Sequence, residues 1–96
     1  MNRTRVLELL AQSKPALVAR YGVTRIALFG STARGTARAD SDIDVLVSFD
    51  GPAMSERYFG VQFFLEDLLG RPVDLVTDKA LRPELRPFIE KEAVHV

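Results

Sequence analysis

Residues 28–47 read Leu-Phe-Gly-Ser-Thr-Ala-Arg-Gly-Thr-Ala-Arg-Ala-Asp-Ser-Asp-Ile-Asp-Val-Leu-Val. The run divides into a strand end, a glycine turn, a short helix or loop, and a second strand carrying Asp42 and Asp44. On a strand, positions i and i+2 point to the same face. Ile43, Val45, Leu46 and Val47 are strand formers that favour burial. Two acids in so apolar a strand call for a chemical reason.

Two carboxylates about 4 Å apart repel by roughly 4 kcal/mol at an effective dielectric near 20. Solvent, a shared proton or a cation relieves that repulsion. A hard divalent ion is the usual solution, and Mg²⁺ typically takes one or two carboxylates plus substrate phosphates. The Gly30-Ser31 turn supplies the complement. It follows the apolar run Ile26–Phe29, and a glycine turn entering a helix presents backbone N–H groups suited to phosphate. Acids on one strand and a phosphate cradle before it point to nucleotide-dependent phosphoryl chemistry.

Working outward, Val6, Leu7 and Leu10 mark a helix over 3–11. Pro15 is tolerated in a first helical turn but not in an interior, so the reading places a second helix over 14–21 with Gly22 as its stop. A strand is expected over 24–29, a short helix over 31–35, and a loop from Gly35 to Ser41. The second strand covers 42–49, and Asp50-Gly51-Pro52 is a turn. A helix follows over about 55–69, closed by Gly70. A third strand runs from Pro72 to Thr77, since proline is allowed at a strand's first residue. Beyond it stand a helix over about 86–91 and a short edge strand over 94–96. This alternation gives an α/β (α+β) sandwich, a small sheet flanked by helices. By itself the alternation favours a parallel sheet.

A chain of 96 residues is expected to form one domain over 1–96. Its composition, 47% hydrophobic and 27% charged, is that of an ordinary globular protein. With no cysteine, disulfides and thiolate metal sites are excluded. No apolar run is long enough to span a bilayer and the first residues lack a signal-peptide core, so the expected location is cytoplasmic, with no membrane partner. The formal net charge is zero, which argues against direct nucleic-acid binding through a broad basic surface.

Gly30-Ser31, ten intervening residues and then Asp42-Ile43-Asp44 resemble the signature of the polymerase-beta-like nucleotidyltransferase superfamily. The spelling Phe-Gly-Ser-Thr-Ala-Arg-Gly and the short length resemble its minimal nucleotidyltransferase branch, many of whose members are antitoxins of HEPN-domain toxins. The resemblance implies a mixed sheet rather than a parallel one. It also implies a third carboxylate on a neighbouring strand, and Asp74, between Val73 and Leu75, is the candidate. The competing reading of Asp74 is an exposed residue paired with an arginine such as Arg71.

The resemblance implies catalytic and metal-binding roles for Asp42, Asp44 and Asp74. These would hold two Mg²⁺ ions about 3.5–4 Å apart. Gly30 and Ser31 would hold the β- and γ-phosphates of ATP, with Arg34 a further phosphate contact or else a surface partner of Asp40. For the antitoxin branch it implies transfer of AMP from ATP to a tyrosine hydroxyl of a HEPN RNase. Because the core is nearly the whole chain, the acceptor is expected to bring its own binding surface. Two alternatives stay open: an antitoxin that only binds and masks its toxin, and a small-molecule (antibiotic) nucleotidyltransferase. In helix 55–69, Tyr58, Val61, Leu65 and Leu68 suit an inward face. Phe59, Phe63 and Phe64 spread beyond it and suit a toxin subunit or a second copy, hence a homo- or hetero-oligomer. His95, the only histidine, reads as incidental.

Overall fold

A computed structural model describes residues 2–96 of the chain. Its order is α1 (Arg3–Tyr21), β1 (Val23–Phe29), α2 (Gly30–Arg34), β2 (Ile43–Phe49), α3 (Ser55–Leu69), β3 (Val73–Thr77), α4 (Arg86–Glu92) and β4 (Val94–His95), with a 3-10 turn at Asp78–Ala80. The strands form one sheet in the order β3-β2-β1-β4. β1 pairs antiparallel with both β2 and β4, whereas β2 and β3 are parallel. The sheet is therefore mixed, and the parallel sheet suggested by alternation alone is corrected. The physical reason is the short α2 link. A parallel return needs a crossover, usually a full helix, which the β1–β2 connection lacks and α3 supplies between β2 and β3.

The expected break at Pro15 is also corrected, because α1 is one continuous helix with Pro15 inside it. Proline costs an interior helix roughly 3 kcal/mol through a lost hydrogen bond and a ring clash. Here the buried stripe of Val6, Leu9, Leu10, Ser13 and Leu17 runs through that point and offsets the cost. Pro15 itself lies on the exposed side, where the carbonyl it leaves free can meet water. Ser13 turns its hydroxyl back to the Leu10 carbonyl at 2.8 Å. The Asn2 side chain caps the start of α1 by accepting from Arg5 N–H at 2.9 Å, and Gly22 closes its end.

Strand alternation sorts the side chains into two layers. Ile26, Leu28, Ile43, Val45, Val47, Val73 and Leu75 join α1 and α3 in the main core. Ala27, Phe29 and Leu46 face the other way, with Leu81, Val76, Ile89 and Ala93. α3 turns Val61, Leu65 and Leu69 fully inward, with Tyr58 and Leu68 at the margin. Phe59 and Phe63 stay outside, stacked with centroids 6.2 Å apart, whereas Phe64 packs against the core beneath the Arg20 guanidinium.

Candidate active site

Asp44 and Asp74 are direct partners in the parallel register of β2 and β3. Each shares strand parity with a residue of the second layer, Asp44 with Leu46 and Asp74 with Val76, so both rise from the thinly covered face. Asp44 is half-buried and Asp74 is exposed. Asp42 lies in the extended segment just ahead of β2 rather than within it, and is exposed. Next to it Ile43 N–H, at the start of β2, donates to the carbonyl of Pro72, the residue before β3, at 3.0 Å.

The charges on these acids are uncompensated. Among the described residues, none of the three takes part in an ion pair. Arg71, the partner that an edge reading of Asp74 would require, instead donates to the carbonyls of Ser41 and Arg38 and so fastens the loop ahead of β2. Burial pushes the Asp44 carboxyl up from 3.8 to about 6. The Asp74 charge, a hydrogen bond shared with Asp74 and then the Asp42 charge act in the same direction, while Arg34 opposes them. A carboxylate in that state suits a cation. Among the described residues, however, no group of three or more acidic or histidine side chains is drawn together tightly enough to form a ready metal cage. The built element is the Asp44–Asp74 pair, with Asp42 beside it. Hard oxygen donors crowded by like charge are the donor set that Mg²⁺ takes, so these residues fit such an ion.

Because β1 and β2 are antiparallel, the end of β1 comes back to the start of β2, with Phe29 opposite Asp44. Gly30 follows at φ 72°, in the left-handed region. A Cβ there would stand 2.8 Å from Asp44 Cγ, so only glycine lets the turn lie against the acid. Gly30 N–H donates to Glu92 Oε1 at 3.0 Å. Arg34 donates to Glu92 Oε2 at 2.9 Å. Gly30 is thus brought against Asp44, with Ser31 next in the chain and Arg34 tied to the same Glu92 carboxylate, but the amide of Gly30 and one nitrogen of Arg34 are already engaged. Glu92 is a site residue that the sequence does not reveal, because its partners lie far back in the chain. No local feature of the sequence marks it, since the expected helix over 86–91 leaves Glu92 outside, whereas in the structure it is the last residue of α4.

The Nucleotidyltransferase domain family matches the chain over residues 10–96. A Methanocaldococcus jannaschii protein provisionally named protein adenylyltransferase is 41% identical over 95% of this chain and 94% of its own. Protein adenylyltransferase MntA of Thermococcus cleftensis is 38% identical over 92% of this chain and 89% of its own. The solved structure of a chain provisionally called a minimal nucleotidyltransferase superposes with a TM-score of 0.82 at 38% identity, covering 98% of this chain and 95% of that one. A Shewanella oneidensis complex, described as a tri-AMPylated HEPN toxin with its MNT antitoxin, shares the fold. Its TM-score is 0.60 at 21% identity, covering 98% of this chain and 67% of that one.

Proposed function

The chain belongs to the Nucleotidyltransferase domain family, and from that premise we propose that it is a single-domain antitoxin, working in the cytoplasm, that moves AMP from ATP onto a tyrosine hydroxyl of a HEPN-domain toxin. The observation that carries this reading is the register pairing of Asp44 with Asp74 beside the Gly30-Ser31 turn. The protein acceptor is supported by the name protein adenylyltransferase, which the MntA relative bears at 38% identity. The toxin as that acceptor is supported by the AMP-bearing HEPN toxin of the Shewanella complex.

In the proposed reaction the acceptor oxygen forms a bond to the α-phosphorus of ATP, the bond from that phosphorus to the bridging oxygen breaks, and pyrophosphate leaves. Ser31 and the N–H groups after Gly30 receive the β- and γ-phosphates, with the free nitrogens of Arg34 at their edge. Asp42, Asp44 and Asp74 would hold two Mg²⁺ ions. When bound, the ions neutralise triphosphate charge and make the acceptor hydroxyl easier to deprotonate. Asp74, the more exposed of the paired acids, takes the hydroxyl proton. Most of the rate gain comes from positioning and charge neutralisation. Phe59 and Phe63, outside the core on α3, give the toxin an apolar surface to dock on.

The test is to incubate the protein with its HEPN partner, ATP and Mg²⁺ and to weigh the partner. Addition of AMP, located on tyrosine by fragmentation, is the expected result. An unmodified toxin that is nonetheless neutralised would favour masking by binding. Efficient transfer to a free aminoglycoside would favour a small-molecule acceptor.

A further inference from the structure

Glu92 ends α4, where a negative charge opposes the helix dipole. The helix is also held to the rest of the fold by other side chains. Arg25 of β1 reaches Glu90 at 2.7 Å, Arg86 reaches Asp78 at 2.6 Å, and Ile89 and Ala93 pack on the sheet's second layer. Those contacts tie α4 to β1, to the 3-10 turn and to the sheet, apart from Glu92. The carboxylate instead spends both oxygens on one small region, accepting from Gly30 N–H at 3.0 Å and from Arg34 at 2.9 Å. Arg34 is half-exposed, so this ion pair adds little to stability. Its effect is directional, because Arg34 so held stands near enough to Asp44 for its charge to act on that carboxyl.

Resting on the nucleotide-transfer reading above, we propose that Glu92 is a positioning residue of the site. It clamps the Gly30 turn against Asp44 and aims Arg34 at the place of the triphosphate, and it touches no reacting atom. Loss of the clamp lets the turn and the arginine wander, which weakens ATP binding while leaving bond formation little changed once ATP is bound.

The experiment compares wild type, Glu92→Gln, Glu92→Ala and Arg34→Ala for ATP KM and kcat in AMP transfer. Thermal melting and the Gly30 amide and Arg34 Nε signals by NMR are followed alongside. Glu92→Ala is expected to raise the ATP KM about tenfold, the size of one lost charge-assisted hydrogen bond, with kcat changed by less than about threefold. Glu92→Gln, which keeps an acceptor for Gly30 N–H but not the charge facing Arg34, should fall between. Adding Arg34→Ala to Glu92→Ala should raise KM by less than the product of the two single effects. A folded Glu92→Ala protein with unchanged KM overturns the inference. So does a fall in kcat and melting temperature with no change in KM. If the wild type neither binds ATP nor transfers AMP, the nucleotide reading fails by itself. The clamp is then judged on the NMR signals, which must move in Glu92→Ala for it to survive and overturn it if they do not.

Discussion

Asp74 stands directly across from Asp44, strand to strand, and helps to hold its neighbour's carboxyl up at about 6. In the unfolded chain Asp44 regains its ordinary 3.8. Between those two values the folded state binds the extra proton, so this group's contribution to stability is full below the lower value and is lost as pH rises through the upper one. Without divalent ions, Asp44→Asn should therefore gain in melting temperature relative to wild type as pH rises from about 4 to about 6. Adding Mg²⁺ at neutral pH should narrow that gap by stabilising wild type alone. Parallel melting curves in chelator across the pH series would refute this.

Replacing Gly30 tests how close the turn lies to the acid. Gly30→Ala puts a Cβ into the Asp44 carboxylate and forces a side chain into the left-handed region. Urea unfolding should register a loss of about 1–3 kcal/mol, and AMP transfer should fall with it.

Asp42 and Asp44 separate modification from masking. Under the proposed function, Asp42→Ala with Asp44→Ala should lower AMP transfer by at least about 100-fold and abolish protection against the toxin in cells, while toxin binding persists. Protection that survives the double change would point to masking. Growth assays and pull-down of the toxin decide between these outcomes.

Pro15 offers a stability gain remote from the site. Pro15→Ala restores a helical donor on the exposed side of α1. The gain should be about 1–2 kcal/mol by urea unfolding, because the removed ring also loosens the unfolded chain. AMP transfer should be unaffected.

The strands, α3 and the closing glycines were legible because short apolar runs bounded by turn residues leave few alternatives. Asp74 was legible as the third acid only through the family resemblance, because strand parity says nothing of how two strands are registered, and it is the β2–β3 pairing that sets Asp74 across from Asp44. Sheet direction was not legible from alternation, since it turned on the length of one connection. Pro15 misled because a local rule was set against a buried stripe that crosses it. Asp42 reads as a strand residue by pattern, yet the β2 ladder begins one residue later. Glu92 was illegible in its role because its hydrogen bond to Gly30 spans 62 residues, and nothing local announces such a contact.

The antiparallel return of β1 gathers the turn and the acids at one end of the sheet, while Val23 and Phe49 meet at the other. The segment from Asp50 to Met54 belongs to that far end. A small fluorophore spliced in there would sit at the pole opposite the acids and about one helical turn from Phe59, so it would report a partner arriving on α3 while leaving the carboxylates open.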